Sequence, residues 1–342
     1  MERKGIAIAG NIVTDIVKNI DRYPEIGTLS NISSVSRSVG GSVPNVGIDL
    51  SVIDPAIPLS AIGRIGDDDN GRYVLSRLKS AHMDVSRVTI SPSAPTSFSD
   101  VMNLPGGERT FFHARGANAE FDPSQIDLES LDCRLLHIAY ILLLDRFDAP
   151  DAECGTVMAA FLKAVRKRGI ETSVDMVSDA SRNARIALPA LKFCDYFIVN
   201  EIECCSVWGI EPRKASGELN VSGIRTAMEN AMTGGVHKKV IVHAPEACFC
   251  LDRNGSFSAK ASLEIPEGRI KGSVGAGDAF CAGALWAICN GLDDEEMLTF
   301  ALSAAAFSLF EENAVDGMRS KDEIMKLSET CPSQHITALE SF

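Results

Sequence analysis

Short, almost wholly apolar runs recur along the chain at residues 5–9, 59–62, 135–138, 172–175, 196–199 and 240–243. Each has the length of a strand buried on both faces. Between them lie longer stretches with helical character, among them 71–81, 154–168 and 224–232. Repeated alternation of strand and helix predicts a parallel sheet covered by helices. In such sheets ligands sit beyond the carboxyl ends of the strands, so polar residues directly after a strand are the ones to inspect.

Two segments break the alternation. Residues 11–39 are polar, extended in character and rich in Ser and Thr. Residues 96–115 read as two short strands around Leu104-Pro-Gly-Gly, a strong hairpin signal. These pieces are expected to pair as a small sheet projecting from the main body. The end of the chain from Asp316 is polar and helix-like before it frays. The expected organisation is one large domain over 1–330, with the small sheet built from about 12–38 and 96–115, and a tail at 331–342.

Composition narrows the function. The 342 residues carry a formal charge of −13 with no long basic run, which argues against nucleic acid, because a phosphate backbone needs a Lys/Arg footprint. No stretch approaches the roughly 20 apolar residues of a membrane span; residues 135–144 come nearest and are interrupted by His137. The first residues run straight into an apolar strand rather than into a signal peptide, so a cytoplasmic protein is expected. Ten cysteines include no CxxC pair, so the spacing speaks against a local metal knuckle, and buried free thiols acting as small hydrophobes are the simpler account.

Five segments carry candidate chemistry. Gly272-Ser-Val-Gly-Ala-Gly-Asp-Ala-Phe280 opens a helix with small residues that leave backbone N–H groups free to face an anion. An acid there suits proton removal from an attacking hydroxyl while the N–H groups hold a phosphoryl group; a glycine turn whose Asp278 favours the helix dipole is the plain alternative. Val39-Gly-Gly-Ser-Val-Pro-Asn-Val-Gly47 combines a tight turn, a proline suited to a first helical turn, and Asn45, which offers both donor and acceptor to hydroxyls. Gly63-Arg-Ile-Gly-Asp-Asp-Asp-Asn-Gly71 places acids at a helix start, where the dipole favours them. Val199-Asn-Glu-Ile-Glu203 is either a capping box or a carboxylate–amide pair able to hold hydrated Mg2+ near phosphates. Asp15, a few residues past the first strand, is either solvated or an acceptor for two sugar hydroxyls.

The order of these segments is more specific than any one of them. Together they resemble the ribokinase-like sugar kinases, the PfkB carbohydrate kinase family, from Gly5 to about Gly317. The resemblance rests on Gly40, Gly41 and Asn45, on Gly63 to Gly71, on Asn200 and Glu203, and on Gly275 to Asp278, with Gly107-Glu-Arg-Thr-Phe and Gly116-Ala-Asn118 similar to the family's lid return. It implies a three-layer α/β/α sandwich with a mostly parallel central sheet and a small β-sheet lid. It implies ATP-dependent, Mg2+-dependent phosphorylation of a sugar hydroxyl. Asp278 would be the base, and Gly275, Ala276 and Gly277 the anion hole. Asp15, Gly41 and Asn45 would bind substrate hydroxyls. Asn200, Ser273, Gly275, Gly277 and Asn313 would contact the nucleotide, and Asn200 and Glu203 would organise Mg2+ through water. A homodimer formed through the lid is also implied.

The chain departs from the family pattern in places. Gly272 and Ser273 stand where Asp-Thr is usual, and that Asp often helps bind K+, so no K+ dependence carries over. His243 and Pro245 stand where many members have Thr-x-Gly, which alters nucleotide contacts because proline lacks an N–H. Asn313 occupies a common glycine position. Phe98, Phe111 and Phe112 lie in the lid segments, where packing or stacking on a base are both open, and alternation along a strand turns only some of them inward. A nucleoside kinase, or a catalytically weakened ligand-binding homologue, therefore stands beside the sugar kinase. Arg115 is a candidate for an acidic sugar or an ordinary surface ion pair.

Overall fold

The structure, a computed structural model, describes residues 3–105, 108–178, 183–336 and 339. The chain enters as β1 (Ile6–Gly10), β2 (Val13–Ile20) and β3 (Ile32–Gly40), then α1 (Ser42–Ile53), β4 (Leu59–Gly66), α2 (Asp69–Ser80) and β5 (Asp84–Ser91). A hairpin of β6 (Phe98–Asn103) and β7 (Arg109–Ala114) leads to β8 (Leu135–Ile141). Two short strands, β9 (Pro150–Asp151) and β10 (Gly155–Thr156), precede α3 (Val157–Lys167), β11 (Glu171–Met176) and α4 (Leu188–Leu191). The last third runs β12 (Tyr196–Asn200), α5 (Glu201–Ser206), α6 (Val221–Gly234), β13 (Lys239–His243), β14 (Ala247–Asp252), β15 (Phe257–Ala261), α7 (Ala276–Asn290), α8 (Asp294–Ser308) and α9 (Lys321–Thr330).

Nine strands form the central sheet in the order β15-β14-β13-β12-β11-β8-β1-β4-β5. From β13 through β5 all neighbours are parallel; β14 and β15 add an antiparallel edge. The pleat sends alternate side chains to opposite faces. Ile6 and Ile8 join a core with α1, α2, α7, α8 and α9, while Ala7 and Ala9 join a second core with α3 to α6. The result is the expected three-layer α/β/α sandwich.

The two segments that broke the alternation form a separate four-stranded sheet, ordered β3-β2-β6-β7. Within it β2 pairs antiparallel with β3 and parallel with β6. The expected hairpin pairs Phe98 with Ala114 and Asn103 with Arg109, but its Gly106-Gly107 tip lies outside the described residues. Asn118 ties this sheet to the body: it accepts from the Ile12 N–H and donates to the Ile12 carbonyl, each at 3.2 Å.

Several boundaries shift for local reasons. The helix expected from 154 starts at Val157, because the Thr156 side chain caps it by accepting from the Ala159 N–H at 3.2 Å. The helix expected at 224–232 extends to Val221–Gly234, capped by Asn220. The acidic run caps α2 through Asp68, which accepts from Gly71 and Thr96, as the structural reading of that run anticipated. Among the described residues no helix is long and apolar enough to cross a membrane.

Candidate active site

Strand ends β1, β8, β11, β12 and β13 converge on the start of α7, and the candidate chemistry gathers there. Gly275 opens the helix in the left-handed region (φ 82°), and an added Cβ would lie 2.5 Å from that of Ala314. Only glycine suits both the turn and the close approach. No side chain caps α7, so its first N–H groups, those of Ala276, Gly277 and Asp278, meet the cleft with little competition. The nearest alternative is a long 3.3 Å contact from the Ala276 N–H to the Ser273 carbonyl.

Asp278 is partly buried at the cleft and accepts two hydrogen bonds. Asn45 Nδ2 donates to its Oδ2 at 2.8 Å, and the Tyr140 hydroxyl donates to its Oδ1 at 2.7 Å. Burial raises its pKa above the ordinary carboxylate value, while Asn45, Tyr140 and the nearby His137 oppose the rise. A carboxylate pushed up in this way is a stronger proton acceptor than an exposed one.

Gly41 starts α1 with φ 81°, where a Cβ would meet the Asn11 carbonyl at 2.5 Å. This turn aims α1 so that Asn45 reaches Asp278. Asn45 Oδ1 is buried with no partner among the described residues, as are the side-chain polar atoms of Asn11, Thr14 Oγ1 and Ser42 Oγ. Gly40 has no side chain where the Asp15 carboxylate lies, 2.4 Å from the Cβ it would carry. Burial pushes Asp15 up to about 7; Ser99 and Arg109 oppose the rise and Asp278 adds to it. Asp15 lines a cavity of about 450 Å3 with Arg37, Arg109, Phe111 and Lys271.

One helical turn beyond Asn45, Asp49 is fully buried on the same side of α1, and neither carboxylate oxygen has a partner among the described residues. Burial, then the charge of Asp278, raise its pKa well above the usual range.

A second cavity of about 500 Å3 is lined by Tyr140, Asp175, Asn200, Glu203, Gly275, Gly277, Asp278 and Phe111. At its lip Asn200 and Glu203 form the capping box that their spacing suggested. Asn200 Oδ1 accepts from the Glu203 N–H at 2.7 Å, and Glu203 Oε2 accepts from the Asn200 N–H at 3.0 Å. Glu203 Oε1 accepts from Ser178 Oγ at 2.9 Å. Burial, first among the causes, lifts Glu203 to about 8. The capping-box reading of this motif is borne out, and the pair also lines the cleft.

A third, more apolar cavity of about 560 Å3 adjoins it through Asn200, His243 and Gly277, and is walled by Ile202, Pro245, Ile265, Ile270, Ser273, Phe280 and Ala305. His243 lies against Phe280, with ring centroids 4.9 Å apart, and burial lowers its pKa to about 4, so it packs as a neutral aromatic. The His243-Ala-Pro245 departure is therefore part of this wall.

The structure brings Asp15, Gly41, Asn45, Asn200, Glu203, Ser273, Gly275, Ala276, Gly277 and Asp278 to one connected cleft. Asn313 borders another part of the cleft. It lines the Asp15 cavity rather than the apolar one, and its amide is spent in a turn, donating to Asp316 and accepting from the Val315 and Asp316 N–H groups. Gly272 lies against the Glu311 carbonyl, 3.3 Å from the Cβ it would carry. Arg115 pairs with Asp145 at 2.9 Å. Phe111 faces the cleft, whereas Phe112, its neighbour on the strand, lines none of these cavities and is half exposed. Sequence reasoning missed Tyr140, Asp49 and Asp175; only the rule of inspecting polar residues at strand ends pointed towards Tyr140 and Asp175.

The model of the pfkB family carbohydrate kinases matches residues 4–321. A ribokinase of Arabidopsis thaliana is 25% identical over 326 residues, covering 94% of this chain and 80% of that protein. An ATP-dependent ribose-1-phosphate kinase of Halopiger xanaduensis is 25% identical over 306 residues, covering 90% of this chain and 92% of that protein. Among solved structures, Arabidopsis thaliana ribokinase complexed with ribose and ATP superposes with a TM-score of 0.79 at 22% identity, covering 96% of this chain and 99% of that one. A nucleoside kinase of Methanocaldococcus jannaschii gives 0.74 at 17% identity, covering 96% and 98%.

Proposed function

The chain belongs to the pfkB family of carbohydrate kinases, and on that premise we propose that it transfers the terminal phosphoryl group of ATP to a hydroxyl of a sugar, with Asp278 as the base. The observation that carries this reading is a partly buried carboxylate of raised basicity in the first turn of an uncapped, glycine-started helix. In the step itself Asp278 takes the hydroxyl proton. The oxygen lone pair forms the new bond to the terminal phosphorus, and the bond to the bridging oxygen breaks to release ADP. The N–H groups of Ala276, Gly277 and Asp278 face the charge that spreads over the transferring group.

Substrate hydroxyls are assigned to Asp15, Asn45 and the Gly41 turn. Asp15 and the unpartnered Asn45 Oδ1 supply acceptors, and the orphaned polar atoms nearby are what a polyhydroxylated ligand would satisfy. The apolar cavity behind Ser273 and His243 is assigned to the nucleotide base, with phosphates running past Gly277 towards Gly275. Mg2+ would be held by Asn200 and Glu203. Glu203 has both oxygens engaged by Asn200 and Ser178, which favours contact through water. Bound there, the ion would neutralise phosphate charge; among the described residues that line this cavity none is Lys or Arg.

A nucleoside is the second reading, favoured by Phe111, whose ring borders both the Asp15 and Asp278 cavities where a base could stack. Purified protein incubated with Mg2+, ATP and a panel of sugars, sugar acids and nucleosides tests both, with phosphorylated product read by mass spectrometry. Turnover of a sugar is expected. Turnover of nucleosides alone selects the second reading, and binding without turnover of any compound marks a weakened ligand-binding homologue.

A further inference from the structure

Beside Asp278, three side chains from three separate elements converge on a point that phosphoryl transfer does not use. His137 comes from β8, Asp175 from the end of β11 and Cys281 from α7. His137 Nε2 lies 3.6 Å from Asp175 Oδ2 and 3.7 Å from Cys281 Sγ, and one ligand atom from each residue falls within 4.8 Å of the others. All three residues are buried.

The first of these contacts is too long for a hydrogen bond. It matches the separation between neighbouring ligands around a tetrahedral ion, roughly 3.3–3.7 Å for bonds of about 2.0–2.3 Å. A second observation points the same way. Asp175 is more than nine-tenths buried, yet its Oδ1 has no partner among the described residues, an acceptor left over by their hydrogen bonding. A third concerns the ring. His137 Nδ1 lies 3.1 Å from Ser173 Oγ, the outer contact that fixes a ligating imidazole and leaves Nε2 towards the other two ligands.

We propose that His137, Asp175 and Cys281 form a binding site for a borderline-soft divalent transition ion, Zn2+ foremost, with its fourth position open to the cleft. Asp175 and Cys281 line the cavity that Asp278 lines, so the ion has an entry path and the open position faces that cavity. A thiolate–imidazole–carboxylate set selects Zn2+ or Co2+ over Mg2+, which takes oxygen ligands in octahedral geometry. This site is therefore separate in chemistry from the Asn200–Glu203 pair.

Charge balance is consistent with a buried site. Neutral His137 gives its lone pair without losing a proton. The Cys281 thiol and the Asp175 carboxyl each release one as the ion enters, leaving two negative ligands against a double positive charge. Among the described residues, the other titratable groups that face it are Asp278 on α7, Tyr140 on β8 and Glu203 on α5.

Co2+ is the probe, titrated into the purified full chain in excess Mg2+ and without oxygen. One equivalent is expected to bind with a thiolate-to-metal charge-transfer band and to be displaced by Zn2+. Cys281→Ser is expected to lose the band and, like His137→Gln and Asp175→Asn, to weaken Zn2+ at least about tenfold. Cys154→Ser, whose thiol lies outside the cleft, is expected to keep both. A band that survives in Cys281→Ser, a wild type with no band, or Zn2+ affinity unchanged in Asp175→Asn overturns the proposal. Asp175→Asn keeps the test decisive if either of the other two variants does not fold.

Discussion

The Tyr140 hydroxyl donates to Asp278 Oδ1 at 2.7 Å, joining the end of β8 to the first turn of α7 across 138 positions of sequence. With Asn45 on the other oxygen, it holds the carboxylate in one orientation, facing the cleft. It also opposes the rise that burial imposes on the pKa of Asp278.

Removing that donor is therefore expected to raise the pKa of Asp278 further. A base must be ionised to accept a proton, so activity is lost as pH falls through its pKa. Tyr140→Phe is predicted to move the acid limb of kcat/KM to higher pH and to lower kcat by about tenfold at neutral pH, in line with the loss of one hydrogen bond to a charged group. A pH–rate profile of both proteins checks this. An unmoved limb would show that Tyr140 does not touch the working base.

Gly275 is predicted to tolerate no side chain. In Gly275→Ala the Cβ meets Ala314 while the backbone keeps a positive φ. A loss of roughly 1–3 kcal/mol is expected, together with a fall in kcat as the start of α7 shifts. Thermal unfolding and steady-state kinetics read the two effects separately.

Asp49 gives a prediction about stability. Its folded pKa is raised, so the folded state holds a proton that the unfolded chain gives up above its ordinary carboxylate value. The associated stability is fully present below the unfolded pKa and is lost as pH rises through the folded one. Asp49→Asn removes this titration. Its melting temperature should fall less than that of the wild type between pH 5 and pH 9, measured by calorimetry at matched ionic strength. Parallel curves would place the charge-sensitive burden elsewhere.

Much of the cleft was legible because its parts are local. A glycine pair four residues before an asparagine, or three small residues before an acid, are patterns set by one turn and one helix start. Tyr140, Asp175 and His137 leave no such trace. They come from β8 and β11, and their meaning depends on which strands are neighbours; the run read as 135–138 ended two residues short of Tyr140. The absence of CxxC spacing likewise says nothing about Cys281, whose companions lie on other elements. The parallel core was visible through its apolar runs. β5 was not, because Asp84-Val-Ser-Arg-Val-Thr-Ile-Ser reads as surface, as befits an edge strand. The turn that Asn313 closes on Val315 and Asp316 was not legible either, because it depends on the local backbone rather than on the residue type.

The central claim concerns one proton. Asp278→Asn keeps the size of the side chain and an acceptor oxygen but removes the base, so ATP binding should persist while transfer fails. Steady-state phosphorylation of the best substrate by wild type and variant, with ATP affinity measured on the same samples, is the direct test. A fall in kcat of at least about a hundredfold at unchanged ATP affinity is predicted. Turnover within a few-fold of the wild type would contradict the assignment of Asp278 as the base.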